Sequence, residues 1–229
     1  MSGTAGAGSG TAPPGWALSL LDAARRAPVP SALSPPSQGG RHSAVLILFG
    51  PGASGPDILL IQRTNGLRRH SGQPAFPGGR LEPTDNGPED AALREAAEET
   101  GLDPSGVRVL GRLPELYIRR TAFRVTPVLA WWHTPSEVRP ADPAEVSGVA
   151  RVPVGELAAP ANQVRVREPD GGIRFAYRVR GMLVWGFTAA ILRQLLELGG
   201  WDQPRLRDGT EGAEPVVVLP QRPPDNRGA

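Results

Sequence analysis

The segment from residue 78 to residue 102 constrains this chain more than any other stretch. Gly78-Gly79-Arg80-Leu81-Glu82-Pro83-Thr84-Asp85 runs into the turn pair Asn86-Gly87 and then into Pro88-Glu89-Asp90. Proline suits the first position of a helix, where its missing amide hydrogen would have no partner anyway. The two carboxylates that follow favour the positive N-terminal end of the helix dipole. A helix is therefore predicted over residues 88–100, stopped by Gly101.

On that helix Glu95, Glu98 and Glu99 stand at i, i+3 and i+4, so their side chains leave one face within an arc of roughly 100°. Carboxylates crowded in this way raise one another's pKa unless a cation sits between them, and hard oxygen ligands suit Mg²⁺ or Mn²⁺. Arg94 lies one turn before Glu98 and can pair with it, or with Asp85 across the loop, and so fix the carboxylates' orientation. Leu93, Ala97 and Thr100 fall on the opposite face, apolar enough to pack on a sheet. An acidic run on a helix is by itself commonly a solvated face. Phe76-Pro77-Gly78-Gly79 changes the reading, because it places two glycines where backbone must approach another group and offers the Gly78 carbonyl as a further metal ligand.

These residues resemble the Nudix box, with two departures: Asp85 stands where the box has Glu, and the spacer from Asp85 to Arg94 is one residue longer. Both departures resemble the coenzyme A pyrophosphohydrolase branch of the Nudix hydrolase superfamily. Upstream, Leu59-Leu60-Ile61-Gln62-Arg63-Thr64 leads through Arg68 and Gly72 to Phe76-Pro77-Gly78-Gly79. It is similar to that branch's own motif, with only Ile61 and Thr64 differing. Trp185-Gly186-Phe187-Thr188-Ala189 resembles the start of the family's last helix, so the likeness spans residues 41 to 198.

The resemblance implies an α/β/α sandwich around a mixed β-sheet, and Mg²⁺- or Mn²⁺-dependent hydrolysis of a pyrophosphate bond. Glu95, Glu99, Glu98 and the Gly78 carbonyl are the expected metal ligands, and Glu98, Glu99 and Arg94 the expected catalytic groups. The sequence leaves open whether Glu98 or Glu99 takes the proton of the attacking water, and Glu145 is a more distant candidate for that duty. Arg63, Arg68, Gly78 and Gly79 are expected to bind substrate, since guanidinium groups grip phosphate oxygens in pairs and keep their charge. The implied substrate is coenzyme A or a derivative, cut to 4'-phosphopantetheine and adenosine 3',5'-bisphosphate. ADP-ribose, NADH or a dinucleoside polyphosphate on the same frame, or a ligand-sensing domain without catalysis, are the alternatives. Tyr117 is a residue that either stacks on a base or simply packs, and His70 is assigned no catalytic role.

All 25 basic residues are arginine, the formal net charge is only +2, and there is no lysine-rich stripe interleaved with aromatics. A small polyanion suits such a chain better than nucleic acid. With no cysteine, disulfides, thiolate catalysis and Cys–zinc sites are excluded. No basic-then-apolar leader is present and no apolar run approaches the roughly 18 residues that span a bilayer, so a cytoplasmic protein without a membrane partner is expected.

Residues 1–40, rich in Gly, Ala, Ser and Pro, read as a flexible segment carrying a short amphipathic helix over 16–26. Residues 41–200 read as the catalytic domain, and 201–229 as a polar tail in which 216–219 either pairs as an edge strand or stays loose. Strands are predicted at 43–49, 58–63, 107–113, 123–132, 146–152 and 173–177, with a last helix over 183–197 whose Leu192, Leu195 and Leu196 share a buried face. The fold class is mixed α/β. Trp131, Trp132 and Trp201, read as exposed, would supply the surface of a homodimer.

Overall fold

The computed structural model describes residues 12–64, 72–167, 172–201 and 216–218. Its helices are α1 (Gly15–Arg26), α2 (Pro88–Thr100), α3 (Val154–Ala158) and α4 (Gly186–Leu198). Its strands begin with β1 (Arg41–Gly52), β2 (Gly55–Arg63), β3 (Pro74–Ala75) and β4 (Gly78–Arg80). After α2 come β5 (Val107–Arg112), β6 (Leu116–Ile118), β7 (Phe123–Trp132) and β8 (Val146–Pro153). The series closes with β9 (Gln163–Arg167), β10 (Ile173–Val179), β11 (Met182–Trp185) and β12 (Val216–Val218).

The main sheet runs β3-β2-β1-β7-β5, with β4 added to β1, β6 to β7 and β8 to β2. It is mixed, because β1 and β7 are parallel while the other pairs are antiparallel. Side chains alternate across a strand, and that alternation builds two cores. Ala44, Leu46 and Leu48 of β1 meet Val128, Ala130 and Trp132 of β7 under α2. Ile47 and Phe49 face the other way with Ile58, Leu60 and Leu129, where α1 and α4 cover them. The result is helix on both faces of a mixed sheet. A second sheet, β11-β10-β9-β12, lies against α4 through β10 and β11. Among the described residues no helix is long and apolar enough to cross a membrane.

α2 has the bounds read from its signals, Pro88 to Thr100, with Gly101 in the left-handed conformation at its end (φ 68°). Its packing face differs from the expected one. Leu93 and Ala97 are only half-buried, while Ala91, Ala92, Ala96 and Thr100 are fully buried. Alanine keeps the helix close to the sheet, and that closeness carries Glu99, one turn beyond Ala96, into the interior as well.

The last helix starts at Gly186 rather than at 183, because Met182–Trp185 pairs with β10 as β11 across a turn in which Arg180 and Gly181 both take positive φ. β3, β4 and β6 are too short to carry a pattern of their own, whereas β9 alternates polar and apolar residues over Gln163–Arg167 and adds a strand that the sequence reading does not include. Of the two readings for the tail, Val216–Val218 takes the paired one, parallel to β9.

The three tryptophans do not form a surface. β7 is an interior strand covered on both faces, so Trp132 is completely buried under α2 and the half-buried Trp131 packs edge-on against Trp16 of α1. Trp201 packs edge-on against Trp16 and lies tilted against Phe49. A homodimer therefore has no support from these residues.

Candidate active site

The site begins with a strand pairing that only glycine permits. β4 lies against the first half of β1, Gly78 opposite Val45 and Gly79 opposite Ala44, and Phe76 anchors the approach in the core. Gly78 has φ 152°, and a Cβ there would run into the backbone of Ala44 and Val45. A Cβ at Gly79 would occupy the space of the Glu95 carboxylate. The bare backbone of β4 is thus what lets the helix carboxylates reach the loop. From behind, the buried Thr188 hydroxyl donates to the Pro74 carbonyl (3.2 Å), tying the start of α4 to the chain that leads into β4.

The three glutamates separate once α2 is docked. Glu99 is 5% exposed. Its Oε2 accepts the Gly78 N–H (2.9 Å) and its Oε1 accepts Nη2 of Arg63 (3.1 Å), which also donates to the Gly78 carbonyl (3.1 Å). Burial pushes the Glu99 carboxyl up to about 7, against the pull of the Arg63 charge and the Gly78 N–H. Burial also lifts the Glu95 carboxyl above its usual range, opposed by Arg94. Glu98 points outward and is 59% exposed.

Arg94 links loop to helix. Its Nε and Nη2 hold Asp85 from both oxygens (3.0 and 3.1 Å), Nη2 also reaches the Arg80 carbonyl, and Nη1 donates to Glu95 and Glu98 (3.2 and 3.1 Å). Asp85 also caps the loop by accepting the Glu82 N–H (2.7 Å), and the Arg94 hydrogen bond holds its carboxyl below the usual range. Aspartate with a longer spacer thus serves here as an anchor for the arginine. Because a lysine ammonium cannot span these four partners, Arg94→Lys is expected to lower turnover of a pyrophosphate substrate about 10- to 100-fold, with a smaller effect on KM. Steady-state kinetics read this directly, and a loss below about threefold would contradict the linking role.

Of the four expected metal ligands, Glu95, Glu99 and the Gly78 carbonyl adjoin β4 and could hold a divalent cation, whereas Glu98 is 59% exposed and held by Arg94. Both carboxylates have pKa values raised by burial against the pull of nearby arginines, and the Gly78 oxygen converges with Glu99 on a single nitrogen of Arg63. This donor chemistry fits Mg²⁺ or Mn²⁺. Among the described residues no three acidic or imidazole groups close into a cage. The candidate cradle is two carboxylates and a carbonyl.

Arg63 is at the site, although the expected phosphate role did not anticipate that it would grip Glu99. Sequence spacing carried no signal for that contact, nor for the Thr188–Pro74 bond. Arg68 and His70 lie outside the described residues. Glu145 is exposed, but its carbonyl accepts the Thr64 N–H (2.9 Å), and its charge helps to raise the Glu99 pKa. Tyr117 lies on β6 opposite Arg124, separated from β4 by β7 and β1.

The model of the NUDIX domain matches residues 40–169. The chain belongs to the Nudix family. A Nudix hydrolase NudL from Yersinia enterocolitica, itself described as uncharacterized, is 34% identical over 165 residues, covering 70% of this chain and 83% of the relative. NudL of Escherichia coli K12, described in the same words, is 38% identical over 148 residues, 63% of this chain and 76% of its own. Among solved structures, the Nudix hydrolase RenU of Mycobacterium smegmatis aligns with a TM-score of 0.44 and 27% identity over 53% of this chain and 75% of its own. This Nudix protein is a hydrolase that acts on pyrophosphate bonds, and its family generally uses divalent metals.

Glu99 gives the Nudix site a pH signature. Its carboxyl takes a proton at about 7 in the folded protein, against an ordinary value of 4.5. The folded state therefore binds the extra proton between those two values. The stability this contributes is fully present below the ordinary value and is lost as pH rises through about 7. In a metal chelator the melting temperature, taken relative to Glu99→Gln, is expected to fall by several degrees from about pH 5 to about pH 8. A flat difference between the two proteins would contradict it.

Proposed function

We propose that this Nudix hydrolase cleaves the pyrophosphate bond of coenzyme A or a coenzyme A derivative, releasing 4'-phosphopantetheine or its acyl form and adenosine 3',5'-bisphosphate. The observation that carries the reading is the position of Arg63. It is the arginine of the upstream motif that resembles the coenzyme A branch, and its guanidinium lies 3.1 Å from both Glu99 and the Gly78 carbonyl. The motif that distinguishes the branch is thereby joined to the box that performs the chemistry.

In this reading Glu95, Glu99 and the Gly78 carbonyl would hold the cation, which when bound would supply neutralisation of diphosphate charge and a more acidic water. Arg63 binds a phosphate oxygen. Glu98 stands outside the cradle, held at Oε2 by Arg94, and accepts the water's proton from the solvent side. Arg94 keeps that carboxylate and Glu95 at a fixed separation. Asp85, in turn, keeps Arg94 in place.

The test is chromatography of products after incubation with Mg²⁺ or Mn²⁺ and coenzyme A, in parallel with ADP-ribose, NADH and a diadenosine polyphosphate. Adenosine 3',5'-bisphosphate is expected to form fastest, from coenzyme A. Glu98→Gln is expected to lower kcat about 100- to 10,000-fold while leaving Mn²⁺ affinity nearly unchanged. Faster turnover of another substrate would keep the hydrolase and discard the coenzyme A assignment. Binding without turnover of any of them would favour a sensing role.

A further inference from the structure

The arginine that is assigned to substrate donates, in this structure, to two of the oxygens that would hold a metal. One nitrogen, Nη2 of Arg63, donates at 3.1 Å to the Gly78 carbonyl and at 3.1 Å to Oε1 of Glu99. The guanidinium therefore already engages two of the oxygens that would hold a cation, and a cation would compete with it for them. The positive charge of Arg63 also acts on Glu95, so it serves both carboxylates of the cradle. Arg63 is aimed there by the sheet. The register of β2 against β8 shifts between Gln62 and Arg63, the irregularity that turns a side chain out of the regular alternation, and Thr64 is then held by the Glu145 carbonyl.

We propose that Arg63 is an internal counter-ion of the metal cradle. It neutralises buried Glu99 while the site holds no metal, and a divalent cation displaces it, freeing the guanidinium for the substrate diphosphate. This rests on the metal site described above. It assigns Arg63 a place in the order of events: metal and arginine exchange at Glu99 first, and only then is the arginine available to phosphate. Three consequences follow physically. Metal-free protein tolerates a buried carboxylate because a cation is already beside it. Metal affinity is lowered by the work of breaking the Arg63–Glu99 pair. Removing Arg63 therefore strengthens metal binding, the opposite of what a residue that merely holds Glu99 in position for the metal would do.

The experiment is calorimetric titration of the intact protein with Mn²⁺ alone, without nucleotide, for wild type, Arg63→Gln, Arg63→Lys and Glu99→Gln. Arg63→Gln is expected to bind Mn²⁺ roughly three- to tenfold more tightly than wild type, with Arg63→Lys returning toward wild type. The gain in melting temperature on adding Mn²⁺ should be larger in Arg63→Gln, whose metal-free form has lost its cation. Equal or weaker Mn²⁺ binding in Arg63→Gln, with wild-type binding still abolished in Glu99→Gln, overturns the exchange and leaves the metal site standing. Mn²⁺ binding in wild type that does not depend on Glu99 overturns both. A second measurement follows the guanidinium N–H resonances of Arg63, assigned by their loss in Arg63→Lys, during titration of wild type with Mg²⁺. A shift with loss of protection at saturation supports displacement, and an unmoved resonance overturns it.

Discussion

Glu99→Gln is expected to reduce turnover by at least about a thousandfold and to weaken Mn²⁺ binding by more than about tenfold. The carboxylate accepts on both oxygens, from the Gly78 N–H and from Arg63, and an amide has only one oxygen to offer. Its NH₂ group would face a donor on one side or the other, and its neutral form removes the charge that the cradle requires. The same substitution takes a buried, half-titrating carboxyl out of the protein. At about pH 8, in chelator, the variant should melt no lower than wild type, because the wild-type carboxylate is then charged and 5% exposed. Kinetics, Mn²⁺ titration and melting on one preparation separate this from misfolding. Activity within about tenfold of wild type would remove Glu99 from the centre of the site.

Gly78→Ala is expected to have the largest effect on stability, a loss of about 2–4 kcal/mol, together with most of the activity. Two causes act on one atom. The backbone is at φ 152°, a region that L side chains rarely adopt, and the new methyl would stand 2.6 Å from the Val45 Cα and press on the Ala44 carbonyl. Neither neighbour can yield, since both belong to β1, the strand that pairs with β2, β4 and β7. Relief requires β4 to lift from β1, which withdraws the Gly78 N–H from Glu99. Gly155→Ala is the control: it lies in α3 with nothing within 4 Å of the added Cβ, and alanine there should be neutral or slightly stabilising. Denaturant melts of the two variants measure the contrast. A Gly78→Ala protein within about 1 kcal/mol of wild type would show that β4 has more freedom than its pairing implies.

Glu99→Gln removes the partner of an internal cation, while Gly78→Ala disturbs the carbonyl that shares it. Both damage an oxygen that would hold the metal, so neither should gain the tightened Mn²⁺ binding expected of Arg63→Gln.

Much of this site was legible before any fold was known, and the reasons are local. Helix α2 begins and ends where its proline, acidic first turn and closing glycine say, because caps and turns act over a few residues. The spacing of Glu95, Glu98 and Glu99 follows from helical geometry alone. The need for glycine at 78 and 79 was also visible as a place of close approach, though not what approached. The fold class followed from strands interleaved with helices, and from a family resemblance that the domain match supports.

What the sequence by itself determined, then, is the local frame: a glycine loop, a helix with a carboxylate face, an arginine to bridge them, and a mixed α/β chain of the Nudix family. Only the tertiary structure decided which carboxylate is buried and which stays wet, because that depends on how closely an alanine face lets α2 approach the sheet. It decided that Arg63 grips Glu99, 36 residues away, because the register of β2 on β8 sets its aim. It decided as well that Trp131 and Trp132 belong to the interior. The amphipathic pattern over residues 16–26 says that the segment needs an apolar partner, but Phe49, Trp131 and Trp201 become that partner only when β1 and β7 pair in parallel. Periodicity and capping are encoded within a turn or two of chain, whereas charge environment and burial are set by residues that meet only through the sheet.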